Sequence, residues 1–155
     1  MQPDTTNSPV CYNGRYPHGV DEKRRVQIPS AWRSNGGSKI EFTLILWPKS
    51  KDGPCLRVLP PKELEQLMND LDAMPNDDPK KEVLKRVIGR SSVQVTLDKA
   101  GRICLPEEMA RAAGITDEAV LVGLLDRFEI WSPERHKKVE VTDGVLAHEA
   151  FKLME

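Results

Sequence analysis

The chain contains one short pattern twice, and this internal repeat is the feature that most constrains its fold. In each copy an aspartate is followed four residues later by an arginine, and then by apolar, any residue, apolar and proline. The first copy is "DEKRRVQIP" (21–29), and the second, "DKAGRICLP" (98–106), lies 77 residues later. A repeat at this spacing indicates an ancient duplication, so we expect two structurally equivalent halves.

Residues on both sides of the pattern also match between the halves. Before each aspartate, at residues 16–20 and 93–97, alternate side chains are apolar or aromatic, which is the period of a β-strand. After each proline we predict a short helix that a glycine closes, Gly37 in the first half and Gly114 in the second. Two more apolar strands follow in each half. The sequence therefore predicts an α+β fold that is mostly β.

Longer helices are predicted after these strands. Proline opens one over residues 61–74, and its apolar residues recur at i, i+3, i+4 and i+7, so we expect that stripe to face the core. A helix over 80–88 joins the halves, and another spans 132–139. The last residues are apolar enough either to cap the core or to dock on a neighbouring subunit. The predicted organisation is a first repeat over 14–78, a connecting helix and linker over 79–92, a second repeat over 93–140 and a C-terminal helical tail over 141–155.

Composition is that of an ordinary soluble globular protein. Hydrophobic residues make up 39% of the chain and charged residues 30%. No apolar run approaches the roughly 18 residues of a membrane span. The first residues carry neither the basic nor the apolar region of a secretion signal. We therefore expect a cytoplasmic protein without a membrane partner.

Residues that could support catalysis or bind a metal are scattered along the sequence. The cysteines form no C-x-x-C pair, and the histidines show no metal-ligand spacing. We also find no clustered carboxylate pair, nucleophile elbow or phosphate-cradling glycine loop. We expect free thiols, no metal or cofactor, no small-molecule substrate and no enzymatic activity. The residues concerned are Cys11, Cys55, Cys104, His18, His136 and His148.

Charge is sorted along the chain although the net charge is only −1. Residues 15–33 contain five Arg or Lys against two acidic residues, and residues 80–111 contain eight against four. Residues 63–78, by contrast, contain six acidic residues and no Arg or Lys. A charged stretch is usually a solvated surface, but both repeated patterns lie in locally basic stretches, as is typical of nucleic-acid-binding surfaces.

Each repeated pattern predicts a stiff turn with an outward-facing arginine. Because side chains alternate along a strand, inward apolar neighbours direct Arg25 and Arg102 to the opposite face. Asp21 and Asp98 can accept backbone hydrogen bonds that fix the turn, and Gly101 supplies a positive φ. A guanidinium on such a loop suits a carboxylate, a phosphate or the O6/N7 edge of guanine.

The same residues permit a simpler interpretation. An aspartate and an arginine four residues apart can pair with each other around a solvated turn, and a turn can need glycine whether or not anything binds. For a single copy we would favour that interpretation. The recurrence of the pattern in the same structural position of both halves favours a binding function instead.

The chain also resembles a known family. The segments "GRYPHGVDEKRRVQIPSAWR" and "VTLDKAGRICLPEEMARAAGITDEAVLVGLLDRFEIWSPE" are similar to the two halves of MraZ, a bacterial transcriptional regulator of the division and cell-wall gene cluster. The resemblance implies two tandem AbrB-like repeats that form one pseudo-two-fold swapped-hairpin β-barrel with flanking helices. It also implies a homo-oligomeric ring, associated with the nucleoid, that binds double-stranded DNA at repeated boxes upstream of its own operon and represses it.

In this family the D-x-x-x-R loops are the parts that contact DNA. The matching DNA-binding positions are Arg25 and Arg102, with Lys23, Arg24 and Lys99 nearby, and the loop-shaping positions are Asp21, Asp98 and Gly101. Arg24 stands where the family usually has glycine. A left-handed non-glycine residue costs about 1–2 kcal/mol. Either the first loop has a different shape or it accepts this strain, and Arg24 is a candidate for an added phosphate contact.

A protein-interaction module is the alternative function. Antitoxins of toxin–antitoxin pairs use the same type of barrel, but typically with a single copy and a disordered toxin-binding tail. Here both copies fill the chain. We therefore favour a DNA-binding regulator over an antitoxin-like partner-binding protein.

Overall fold

The described strands form a six-stranded antiparallel sheet and a separate two-stranded ribbon. The computed structural model describes residues 10–33, 39–48 and 51–155. The strands are β1 Arg15–Gly19, β2 Arg25–Gln27, β3 Glu41–Trp47, β4 Cys55–Leu59, β5 Ser92–Thr96, β6 Arg102–Cys104, β7 Glu118–Gly123 and β8 Phe128–Trp131. The helices are α1 Pro61–Asp72, α2 Pro79–Arg90, α3 Glu107–Ala112 and α4 Pro133–Phe151. The predicted α+β class is confirmed, with an antiparallel sheet and four α-helices in the described residues.

The order of the sheet, β1-β7-β8-β4-β3-β5, is symmetric about the central β4–β8 pair. The first strand of each half pairs with a strand of the other half, β1 with β7 and β5 with β3. The register repeats too: Pro17 opposes Val120, and Gln94 opposes Thr43, so each position recurs 77 residues away. The two halves therefore share one sheet.

The sheet is open, so the closed barrel that we expected does not form. Among the described residues, β1 and β5 each have one paired neighbour and stand at opposite ends of the sheet. Each of them runs into its D-x-x-x-R turn, which carries the chain out of the sheet and into the ribbon of β2 and β6. The ribbon, rather than a β1–β5 pair, completes the packing of the core.

Aromatic rings fill that core. Trp32 is fully buried and packs against Phe128 with ring centroids 4.8 Å apart, while Phe42 meets Phe128 edge-on at 5.4 Å. Tyr12 also contacts Trp32, and burial raises the pKa of Tyr12 to about 12. The apolar residues of the repeated pattern are buried in the same cluster: Val26, Ile28, Ile103 and Leu105. The ribbon is therefore anchored through one face, and its turns lie outside the core.

A buried ion pair crosses the centre of the sheet. Arg57 of β4 donates from Nε and Nη2 to Glu129 Oε2 of β8 at 3.2 and 2.7 Å. Trp131 Nε1 donates to the other carboxylate oxygen at 3.0 Å, and the guanidinium lies 4.3 Å from the ring centroid of Trp47. Because the Glu129 side chain is only 6% exposed, these partners replace the water that burial removes from its carboxylate.

Two helices differ from their predicted form. The apolar stripe of α1 is only partly covered. α1 lies against β3, β4 and α2, but none of its residues is fully buried, and Met68 is 50% exposed. α4 runs without a break to Phe151, so the helix predicted over 132–139 and most of the helical tail predicted over 141–155 form one continuous helix. From residue 141 onward every side chain is exposed except the half-buried Ala147, so this segment does not cap the core of its own chain.

The short helices after the two prolines are not equivalent. In the second half α3 forms as predicted, and Gly114 follows it with a left-handed φ of 72°. In the first half a single 3-10 turn, Ser30–Trp32, takes its place. Gly37, which was predicted to close that helix, lies outside the described residues.

Candidate nucleic-acid interface

Asp21 organises the first D-x-x-x-R loop through both of its carboxylate oxygens. Oδ1 accepts the backbone N–H groups of Lys23 and Arg25, each at 2.9 Å. Oδ2 accepts Arg25 Nε at 2.8 Å. The backbone closes the turn, since Arg24 N donates to Asp21 O at 2.8 Å. One carboxylate thus sets the shape of the loop and also aims the arginine.

Asp98 does the same in the second loop. Oδ1 accepts the N–H groups of Ala100 and Arg102 at 2.9 Å each, and Oδ2 accepts Arg102 Nε at 3.1 Å. Gly101 N donates to Asp98 O at 3.0 Å. The two loops therefore have the same hydrogen-bond pattern, residue for residue.

These hydrogen bonds stabilise the ionised form of both aspartates. Hydrogen bonding from the Arg25 backbone N–H holds the pKa of Asp21 below its usual value, and that of Arg102 does the same for Asp98. Since the pKa of each folded carboxyl is depressed, the hydrogen bonds are at full strength above the ordinary aspartate pKa. They weaken only as the pH falls through the lower, folded value.

Arg24 adopts the conformation that glycine has in the second loop. Its φ is 61°, against 81° at Gly101. Of the two alternatives for this position, the first loop therefore keeps its shape and accepts the strain. The Arg24 side chain turns back along the ribbon, where Nε donates to Leu105 O at 3.0 Å.

Pairing of β2 with β6 brings the two loops side by side. Arg25 opposes Cys104, and Arg102 Nη1 lies 3.9 Å from Asp21 Oδ2 of the other loop. The side chains of Arg25 and Arg102 are 33% and 32% exposed, so neither guanidinium is sealed in the core. Both arginines do pair with their own aspartates, which is the contact that the simpler interpretation expected.

The two lysines occupy different positions around the turns. Lys23 corresponds to Ala100, whereas Lys99 corresponds to Glu22. Both lysines are exposed. The joint surface of the two loops therefore carries cations at its rim without strict two-fold symmetry.

Arg33 belongs to this region although the sequence did not single it out. A Cβ placed on Gly101 would lie 2.7 Å from Arg33 Cζ and 2.9 Å from Gln27 Nε2, so these side chains fill the space behind the second loop. Arg33 Nε is buried without a hydrogen-bond partner in the part of the chain that the structure describes. The equivalent position in the second half is Ala110, so the repeat offered no signal for Arg33.

Side chains that could ligate a metal are dispersed over the described part of the chain. Within residues 10–33, 39–48 and 51–155, no three His, Cys, Asp or Glu side chains are grouped so that they could hold a metal ion. No helix in these ranges has both the length and the apolar character to cross a bilayer.

A family model and individual proteins that are similar to this chain carry the same family name. A model of the family described as "MraZ protein, putative antitoxin-like" matches residues 90–149, which include the second loop. A protein of Rickettsia rickettsii (strain Sheila Smith) named "Transcriptional regulator MraZ" is 30% identical over 135 residues, which cover 87% of this chain and 90% of that protein. A protein of the same name from Xanthomonas campestris pv. campestris (strain 8004) is 31% identical over 137 residues, which cover 86% and 93%. The similarity thus spans most of both chains.

Proposed function

The chain belongs to the MraZ family, and from this membership we propose that it is a sequence-specific DNA-binding transcriptional regulator. It represses its own promoter, in the division and cell-wall gene cluster, from the cytoplasm as part of the nucleoid. The observation that carries the proposal is the pair of loops, Asp21–Arg25 and Asp98–Arg102, which stand side by side with one partly exposed guanidinium each.

The hydrogen bond from each arginine Nε to its aspartate orients the guanidinium for DNA binding. Since Asp21 and Asp98 hold only the Nε of each arginine at hydrogen-bond distance, the terminal nitrogens keep their capacity to donate. Two such donors in one plane fit a phosphate or the O6/N7 edge of guanine. The pairing that the simpler interpretation expected is thus compatible with binding, because it fixes the direction of the guanidinium before DNA arrives.

The remaining cationic side chains contact the sugar–phosphate backbone of the DNA. Lys23 and Lys99 lie exposed at the rim of the two loops, and Arg24 lies between the first loop and the end of β6. Each phosphate that such a group neutralises releases counterions, so affinity falls with salt by about one log unit per log unit of salt for each contact. Lys23, Arg24 and Lys99 therefore contribute affinity, and Arg25 and Arg102 contribute discrimination.

We also propose that the fold is the AbrB-type swapped hairpin in a tandem, pseudo-two-fold form. The first repeat spans 14–78 and the second 93–140, joined by the helix and linker over 79–92. Support comes from the exchanged first strands, because β1 pairs with β7 and β5 pairs with β3 in the same relative register. The ribbon of β2 and β6 then lies on the pseudo-two-fold axis and presents both loops to one duplex.

Several copies act together as a homo-oligomeric ring. The exposed tail at residues 141–155 supports this assembly, since Phe151, Leu153 and Met154 are 71–87% exposed. The tail carries three acidic residues against one lysine, whereas α2 carries five basic residues against one acid and exposes Val83 and Leu84. If the tail docked on α2 of the next copy, its acidic residues would lie near the basic residues of α2, and the exposed apolar side chains of both segments would be buried. Repeated boxes then engage several loop pairs, and effective concentration raises the overall affinity.

A gel-shift titration with the DNA directly upstream of the protein's own gene tests the proposal. Each arginine contact contributes about 1–3 kcal/mol, so the double variant Arg25→Ala, Arg102→Ala should bind at least about 30-fold more weakly. The control, Lys51→Ala with Arg111→Ala, removes the same charge from exposed positions outside the loops. Unchanged affinity of the loop variant would remove the loops from the mechanism.

A partner-binding, antitoxin-like role is the second candidate. It is favoured by the wording of the matched family description and by the exposed apolar tail, which a partner protein could cover instead of a second copy. Purification from the native cell decides between them. A small protein recovered in equimolar amount, and lost when residues 141–155 are removed, would support the second candidate.

A further inference from the structure

Each D-x-x-x-R loop is held by the opposite half of the chain. The residue at the left-handed position offers its carbonyl to the strand of the other half: Ile28 N donates to Gly101 O at 2.9 Å, and Leu105 N donates to Arg24 O at 2.8 Å. Ile28 and Leu105 occupy equivalent positions, as do Arg24 and Gly101. Neither loop can therefore shift far without disturbing the strand that leaves the other loop.

A side chain adds a second contact across the halves in each case. Gln27 Nε2 donates to Ala100 O at 2.9 Å, and Cys104 Sγ donates to Lys23 O at 3.3 Å. Positions 27 and 104 are equivalent, and so are 23 and 100. Two chemically different side chains thus perform the same task at the same place in the two halves.

We propose that Gln27 and Cys104 are positioning residues that hold the two loops in one fixed arrangement for DNA. The proposal rests on the proposed function, because it assigns the contacts a role in reading sequence. Neither residue needs to touch DNA. Each fixes the carbonyl at the tip of the opposite loop, two residues before the arginine, and thereby limits the directions in which Arg25 and Arg102 can point.

The two contacts should differ in strength. A carboxamide N–H is a full hydrogen-bond donor, whereas a thiol is a weak one. Gln27 also packs behind Gly101 together with Arg33, so the second loop is supported over a larger area. Loss of Gln27 should therefore affect the second loop more than loss of Cys104 affects the first.

Hydrogen–deuterium exchange of the free protein tests the contact without any DNA. Gln27→Ala should speed exchange in the peptide covering residues 98–102 by about 2- to 12-fold, the equivalent of 0.5–1.5 kcal/mol. Gln27→Cys, which installs the donor that serves position 104, should recover part of the protection. Gln66→Ala is the matched control, because Gln66 donates to Asp70 on the exposed surface of α1.

Binding measurements test the positioning role. The readout is the ratio of dissociation constants for the upstream duplex and a shuffled duplex of the same composition, with folding checked by circular dichroism. Gln27→Ala should lower this preference by about 2- to 12-fold, and Gln27→Cys should restore part of it. A purely structural role would weaken binding to both duplexes equally and leave the ratio unchanged.

The outcomes separate this inference from the proposed function. Exchange rates of Gln27→Ala that match those of Gln66→Ala would overturn the inference, and so would faster exchange with an unchanged binding ratio. If the wild-type protein bound both duplexes equally, and the Arg25→Ala, Arg102→Ala variant did the same, the proposed function would fail. The assignment of Gln27 to DNA reading would then fall with it, whatever the exchange rates.

Discussion

Replacing Arg24 by glycine and, in a second variant, by alanine separates two opposing effects at the tip of the first loop. The left-handed φ of 61° at position 24 costs a non-glycine residue about 1–2 kcal/mol. The side chain offsets this cost, because Nε donates to Leu105 O at 3.0 Å and a hydrogen bond from a charged group contributes about 1.5–3 kcal/mol. Arg24→Ala keeps the strain and loses the hydrogen bond, so stability should fall by about 1.5–3 kcal/mol. Arg24→Gly loses both the strain and the hydrogen bond, so its stability should fall by about 1–2 kcal/mol less than that of Arg24→Ala.

Urea unfolding at one fixed protein concentration measures these differences, with tryptophan fluorescence as the signal, since Trp32 and Trp131 are buried in the folded chain. Gly101→Ala provides a matched comparison at the second loop, where φ is 81° and a new Cβ would lie 2.7 Å from Arg33 Cζ. Its loss of stability should be comparable to the difference between the two Arg24 variants, since the left-handed φ imposes the same strain and the nearest atoms belong to the ends of flexible side chains that can shift. Equal stabilities of the alanine and glycine variants at position 24 would refute the reasoning, because the left-handed strain would then be absent.

Three other perturbations test the remaining structure. Arg57→Met should lower the free energy of unfolding by about 3–5 kcal/mol, because Glu129 keeps a buried charge without its partner. Arg57→Met with Glu129→Gln should recover part of that loss in the same urea assay, because glutamine removes the charge and keeps an oxygen acceptor for Trp131 Nε1. Burial lowers the pKa of His136, so below the ordinary histidine pKa of about 6.5 the unfolded chain binds more protons. Stability should therefore decrease from pH 7.5 to pH 5, and His136→Gln should flatten this decrease in thermal unfolding curves, whereas an unchanged slope would exclude His136 as its source. Removal of residues 141–155 should reduce the assembly to smaller species in light scattering, and an unchanged mass would place the subunit contacts elsewhere.

The geometry of the loops could be predicted because it depends on local pattern. Val26 and Ile103 are buried, as the alternation of apolar residues predicted. Arg25 and Arg102 consequently leave the ribbon on the other face. The internal repeat predicted that the two loops share one shape. Equivalent sequences 77 residues apart do adopt the same turn, with Arg24 at the position of Gly101.

Features that depend on distant contacts could not be predicted in this way. Closure of the sheet requires β1 and β5 to pair, and no local pattern reports whether two edge strands far apart in sequence will meet. The sequence predicted a helical tail over 141–155 but left open whether it covers the core or a neighbouring subunit, because apolar content alone does not specify the surface that a helix contacts. Arg33 and Gln27 act through the loop of the other half, so their role appears only when the two halves are placed together.

Hydrogen–deuterium exchange with and without the upstream duplex locates the DNA-binding surface most directly. We predict protection in the peptides that contain residues 21–25 and 98–102, and no protection there when a shuffled duplex is added at the same concentration. Protection confined to α1, α2 or α4, with both loops exchanging as in the free protein, would contradict the assignment of DNA recognition to the paired arginine loops.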